Sequence, residues 1–150
     1  FFNPISHNTG ASYNMIQAQI AVGSGTLFGK GLGLGKQSQL NFLPEFHTDF
    51  AFSSLVEQFG FIGGALVIFL YGFFFYLLFF RMAYYVNAED TDKKYRFYYL
   101  LGFTTLMIMQ TCINIGMNLG ILPIAGITLP FISYGGSSLL SLMIGLALIP

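Results

Sequence analysis

Phe59-Gly-Phe-Ile-Gly-Gly-Ala-Leu-Val-Ile-Phe-Leu-Tyr-Gly-Phe-Phe-Phe-Tyr-Leu-Leu-Phe-Phe80 runs without one charged side chain. At about 1.5 Å of rise per residue, a helix of this length crosses roughly 30 Å of hydrocarbon. Phe97 to Met117 is a second uncharged stretch of the same kind. Between them, Arg81 to Arg96 holds Arg81, Lys93, Lys94 and Arg96 together with Glu89, Asp90 and Asp92. A short connection rich in Lys and Arg is the mark of the cytoplasmic side, so the other connections are expected to face outside.

Composition agrees with lipid as the solvent. Hydrophobic residues make up 55% of the chain, charged residues 8%, and Phe alone occupies 18 positions, more than one soluble core of 150 residues buries. The net charge is zero and there is no basic block, which removes the case for nucleic-acid binding. The single cysteine, Cys112, lies within an apolar run, so no disulfide framework is expected. The chain opens on Phe1 and stops in an apolar run, and it reads as a piece of a larger polytopic protein.

The fold class expected is therefore all-α and polytopic: a large extracytoplasmic loop over residues 1–50 with short interfacial helices, then a transmembrane region over 51–150. Three spans are predicted, near 51–80, 97–118 and 137–150, the last cut short. Residues 81–96 form the cytoplasmic loop. Pro123, Pro130 and Gly135-Gly136 interrupt the third apolar region, so 119–136 is read as an outer loop or re-entrant segment. Irregular backbone at membrane depth survives only where protein or a water-filled cavity covers it. Upstream, Tyr13 to Val22 is compatible with a short amphipathic helix on the interface, Tyr13, Ile16 and Ile20 forming its apolar side. Gly60, Gly63 and Gly64 read as close-packing positions between helices.

The chemistry-bearing residues gather ahead of the first span. Gly25-Thr-Leu-Phe-Gly29-Lys30-Gly31 invites a phosphate-loop reading, but it is one residue short between the glycines and has Gly31 where a hydroxyl must hold magnesium. A flexible loop hugging the interface is preferred to a pyrophosphate-contacting one. Asp49, in Leu43-Pro-Glu-Phe-His-Thr-Asp-Phe50, admits two roles. It can cap the following helix, or it can serve as a general base whose affinity for protons is raised by desolvation at the lipid boundary. Glu45 and His47 are close enough in sequence to tune it; His47 by itself reads as an interfacial hydrogen-bonding residue. Glu57 lies about 12 Å further along a continuous helix and about 80° around it, so both acids can line one cavity. The simplest structural role for Glu57 is pairing with a cation on a span outside this chain. No His-x-x-x-His or similar ligand spacing is present.

Four stretches resemble the SEDS family, the RodA and FtsW group of bacterial membrane glycosyltransferases: Gly23-Ser-Gly with Leu27-Phe-Gly-Lys-Gly31; Gln39-Leu-Asn-Phe-Leu-Pro-Glu-Phe-His-Thr-Asp-Phe50; Asn114-Ile-Gly-Met117 with Gly120-Ile-Leu-Pro123; and Leu129-Pro-Phe-Ile-Ser-Tyr-Gly-Gly-Ser-Ser138. The wording around Asn41-Phe42 and Asn114 to Met117 is slightly nearer RodA. The resemblance implies a multi-pass protein of the bacterial cytoplasmic membrane that polymerises glycan strands from lipid II. In this family the essential aspartate matches Asp49, as general base for an inverting transfer. Lys30 and Lys36, or a divalent cation such as magnesium or manganese, are implied as partners of the pyrophosphate, with no organic cofactor. Glu45, His47, Glu57, Ser133 and Ser137 are expected along the substrate path, and a class B penicillin-binding protein is the implied partner. Where many members carry Gly-Glu-Glu this chain has Val56-Glu57-Gln58. Two rival functions remain open at this point, a transporter of lipid-linked precursors and a noncatalytic scaffold for the penicillin-binding protein.

Overall fold

The computed structural model describes residues 10–32, 48–86 and 90–149. Among these residues all regular structure is helical: α1 (Gly10–Ser24), α2 (Ala51–Tyr85), α3 (Thr91–Asn118) and α4 (Gly136–Ala147). α2 and α3 are long and apolar enough to cross a membrane; α4 is apolar and shorter. Phe61, Phe69, Phe73 and Phe80 on α2 are all at least half exposed, a surface whose burial in lipid or against further spans is favourable and whose exposure to water is not.

α3 supplies the spine of the packing. Six of its eight buried residues, Leu100, Thr104, Met107, Thr111, Asn114 and Asn118, fall at alternating spacings of four and three, the repeat that keeps one stripe of a helix turned to a neighbour. That neighbour is α2, which runs antiparallel after a short connection. Asp90 opens α3 by accepting the Asp92 amide on its carboxylate, which suits a helix start. The helix closes at Gly120, whose φ of +76° favours glycine. There the Ile121 N–H bonds Gly116 O at 2.9 Å and the Gly120 N–H bonds Met117 O at 3.1 Å, the paired bonds of a left-handed helix terminator. The charged connection is less open than its composition suggested: α2 continues through Tyr85 and α3 resumes at Thr91, because Arg and Lys are good helix formers.

α2 is not continuous. Gly60 has φ +72° and ψ −168°, a conformation open essentially to glycine alone. A regular helix would bond Phe61 N–H to Glu57 O and Ile62 N–H to Gln58 O. Instead the segment after α1 takes both rungs apart and satisfies all four groups. Phe61 N–H donates to Thr26 O at 2.9 Å and Ile62 N–H to Leu27 O at 3.2 Å, while Glu57 O accepts from Lys30 N–H and Gln58 O from Gly31 N–H, each at 3.0 Å. The backbones lie so close that a Cβ on Gly29 would strike Gln58 O, and one on Gly60 would strike Gly29 N. Gly60 is thus a site of close approach to a loop rather than to another helix. Residues 25–31 form a bonded splice rather than a flexible interfacial segment, since backbone polar groups cannot be left open away from water.

α1 differs from the amphipathic reading too. Ala18 and Ala21 are fully buried against Phe50, with Ile124 packed beside them, whereas Tyr13 and Ile20 are each 46% exposed. Small side chains let the helix backbone come close, so α1 turns its alanines inward. The irregular segment 119–135 lies over the same end of the molecule. Leu129 and Pro130 are buried, the Tyr71 hydroxyl donates to Pro130 O, and the Phe131 ring meets Phe74 edge-on at 5.8 Å.

Candidate functional site

The start of α2 and the end of α3 meet where Asp49 stands. α2 begins at Ala51, and the residue in the N-cap position is Phe50, which contributes no side-chain cap. The N-cap position is thus held by Phe50, one residue after Asp49. The missing cap is supplied by another helix. Asn118 at the end of α3 accepts the Ser53 N–H at 3.1 Å and the Ser53 hydroxyl at 2.5 Å on its Oδ1, satisfying a first-turn amide that a local cap usually takes.

The same two asparagines hold the Asp49 main chain. Asn114 Nδ2 and Asn118 Nδ2 each donate to Asp49 O at 3.0 Å. Asn114 Nδ2 also donates to Ile127 O at 2.6 Å, and Asn118 Nδ2 to Asn114 O at 2.9 Å. One residue earlier, the Ser133 hydroxyl donates to Thr48 O at 2.5 Å while accepting the Leu129 N–H at 2.8 Å. Asn114 and Asn118 are fully buried and Ser133 is nearly so; buried polar side chains at this density must be fully paired to be tolerated. The result is a rigid peptide carrying a half-buried Asp49. Its Oδ2 lies 3.6 Å from where a Cβ on Gly126 would sit, and Gly126 itself has φ +60°. A Cβ there would stand in ordinary van der Waals contact with the carboxylate.

Glu57 occupies a different setting. It is fully buried, and its Oε1 pairs with Lys30 Nζ at 3.1 Å. Lys30 Nζ also donates to Ser24 Oγ at 2.7 Å, and Ser24 Oγ donates to Ala21 O at 3.0 Å. The cation expected from a span outside this chain comes instead from the glycine-rich loop, because the break at Gly60 draws Lys30 onto the helix. Lys30 is thereby engaged by a carboxylate rather than presented alone to an anion. Ser133 is turned onto the Thr48 peptide, and Ser137 is exposed in the first turn of α4. Lys36, Glu45 and His47 lie outside the described residues. Among the described residues no three His, Cys, Asp or Glu side chains stand together, so they form no protein cage for a magnesium or manganese ion.

Sequence reasoning passed over Asn114, Asn118, Ser53 and Gly126. The signal for the asparagines was present: Thr104, Thr111, Asn114 and Asn118 fall on the buried stripe of α3, and polar residues on a buried helix face of a membrane protein mark bonding between segments.

Comparison with known proteins agrees with this architecture. A family model described as Cell cycle protein, covering FtsW, RodA and SpoVE, matches residues 1–150. The probable peptidoglycan glycosyltransferase FtsW of Saccharophagus degradans is 44% identical over 140 residues, 93% of this chain and 35% of that protein. The peptidoglycan glycosyltransferase MrdB of Escherichia coli K12 is 42% identical over 147 residues, 98% of this chain and 38% of that protein. A solved structure described under structural coordination of polymerization and crosslinking by a peptidoglycan synthase complex superposes with a TM-score of 0.70 at 28% identity, covering 99% of this chain and 37% of that one. The chain spans little more than a third of the length of these relatives. It belongs to the FtsW, RodA and SpoVE family of cell cycle proteins.

Proposed function

We propose that the protein to which this chain belongs polymerises peptidoglycan glycan strands from lipid II, with Asp49 as general base. The observation that carries this reading is the Asp49 peptide held by buried amides where two membrane-capable helices meet, with its carboxylate half-buried. The names of its relatives, peptidoglycan glycosyltransferases of division and elongation types, support it. The Lys and Arg residues at the opposite ends of α2 and α3 support an outward-facing Asp49 by the bias of such residues to the cytoplasmic side. On this reading 1–50 is the extracytoplasmic loop, α4 begins a third span, and the protein is a multi-pass component of the bacterial cytoplasmic membrane.

The acceptor sugar's 4-hydroxyl attacks C1 of the donor MurNAc. The new C1–O bond forms as the bond to the phosphate oxygen breaks, undecaprenyl pyrophosphate leaves with the electron pair, and the hydroxyl proton passes to Asp49. Displacement from the opposite face inverts the anomeric centre. The leaving group is already good, so the protein's part is deprotonation and orientation. Lys36, with Ser137 on the exposed first turn of α4, are the residues assigned to the substrate path; Glu45 and His47 are assigned to tune Asp49. Lys30 and Glu57 secure the loop below it. A magnesium or manganese ion, where bound, would supply neutralisation of the pyrophosphate charge. The transpeptidase partner is a class B penicillin-binding protein.

The test is glycan synthesis from purified lipid II by the full-length parent with its transpeptidase. Asp49→Asn lowers turnover at least about a hundredfold, the usual contribution of a positioned base, at equal folded protein and equal partner binding. Wild-type polymer from that variant would overturn the assignment and move the weight to transport or scaffolding.

A further inference from the structure

We infer that Asn114, Asn118 and Ser133 are positioning residues that set the reactivity of Asp49 by gripping the main chain on both sides of its Cα. This inference rests on the reading of Asp49 as the base. Three independent side chains converge on two consecutive carbonyls: the hydroxyl of Ser133 on Thr48 O at 2.5 Å, and the amides of Asn114 and Asn118 on Asp49 O at 3.0 Å each. Among the described residues Thr48 to Phe50 is a turn rather than helix, and Phe50, in the N-cap position of α2, contributes no side-chain cap. The three bonds fix the Thr48 and Asp49 carbonyls, and with them the direction in which the Asp49 Cα–Cβ bond leaves the chain.

The three anchors also come from different places. Asn114 and Asn118 belong to α3, while Ser133 belongs to the irregular segment and is itself fixed by the Leu129 N–H at 2.8 Å. Asn114 ties the same segment back by bonding Ile127 O at 2.6 Å. The segment bearing Gly126 and the turn bearing Asp49 are thus held to one helix by the same amide group. That fixes how the Gly126 segment stands against the Asp49 carboxylate. A reacting geometry displaced by about 1 Å costs up to about a hundredfold in rate.

The experiment uses the full-length protein with its transpeptidase partner, purified lipid II as the probe, and four variants: Ser133→Ala, Ser133→Thr, Asn114→Ala and Asp49→Asn. Each is compared at equal folded protein and at temperatures well below its unfolding midpoint. The expected result is a fall in kcat of about ten- to a hundredfold for Ser133→Ala and Asn114→Ala, with KM within about twofold. Ser133→Thr, which keeps the hydroxyl, regains most of the rate. Wild-type kcat in both Ser133→Ala and Asn114→Ala, beside an inactive Asp49→Asn, would overturn the positioning role and leave the base intact. A rate loss that merely follows the loss of folded protein, or that Ser133→Thr does not recover, overturns it too. An active Asp49→Asn removes the base reading and this inference with it. Ser133→Ala deletes one hydroxyl, so the comparison survives even if Asn114→Ala fails to fold.

Discussion

The break at Gly60 and the turn at Asp49 face the same physical problem and answer it differently. In both, α2 leaves backbone groups without helical partners. At Gly60 the answer is backbone to backbone: the loop carrying Thr26 to Gly31 exchanges four main-chain bonds with the helix. At Asp49 the answer is side chain to backbone, through Asn114, Asn118 and Ser133. The first solution depends on the absence of side chains, because only glycine permits the approach. The second depends on particular amides and hydroxyls. Replacing residues should therefore break the two regions by different rules, steric in one and chemical in the other.

The largest effect is expected at the splice. Gly60→Ala forces a Cβ onto Gly29 N and Leu27 O at a φ that L-residues avoid, and Gly29→Val drives a branched side chain onto Gln58 O. Strain of this kind with loss of the paired bonds costs at least about 3 kcal/mol. Equilibrium unfolding of the full-length parent in detergent should show that loss, or no folded protein at all. A Gly60→Ala protein of normal stability would mean that α2 closes its ladder without the loop.

Next in size is the ion pair that pins the splice. Lys30→Met leaves the fully buried Glu57 carboxylate without the ammonium at 3.1 Å, and removing one partner of a buried pair costs about 3–5 kcal/mol. Replacing both, as Lys30→Met with Glu57→Gln, should recover most of that, since a neutral amide costs far less to bury than a charge. The readout is a double-mutant cycle in unfolding free energy. If the double variant is as unstable as Lys30→Met alone, charge burial is not what Lys30 relieves.

These two tests also mark what the sequence could and could not convey. The helical, membrane-suited character was written in the uncharged runs from Phe59 and from Phe97, because apolar length is a local property. Glu57 was legible as an acid in need of a cation, but its partner was not, because nothing local to Gly60 says that the helix opens there and admits Lys30. The glycines at 25, 29 and 31 showed only that no regular element could form. What they allow, the close approach of two backbones, is a tertiary fact. Asp49 was found from its neighbours in sequence, whereas the amides that hold it come from residues 65 or more positions away. They were recoverable in part, since Asn114 and Asn118 continue the stripe of Leu100, Met107 and Thr111.

A smaller loss is expected on the Asp49 side. Asn118→Leu keeps the volume but removes the acceptor for Ser53 and the donor to Asp49 O. It leaves the Ser53 N–H and hydroxyl without their acceptor and Asp49 O with one donor fewer, at about 1–3 kcal/mol. Because nothing clashes, the protein should still fold, with a lower unfolding free energy and faster amide exchange at Ser53. Protection of that amide at the wild-type level would show that a different group caps α2.

The smallest effect has the opposite sign and isolates what is special about the splice glycines. Gly23 sits in α1 only two residues before Gly25, but it is exposed and a Cβ built on it meets nothing within 4 Å. Gly23→Ala should raise stability by about 0.5–1 kcal/mol, the gain from replacing a helical glycine with the best helix former. The same change at Gly25, where a Cβ would strike Val56 O, should be strongly destabilising. Unfolding of the two alanine variants side by side separates composition from geometry. If both shift alike, the glycine spacing reflects local chain preference; if they shift in opposite directions, it is the contact with α2 that requires glycine at 25.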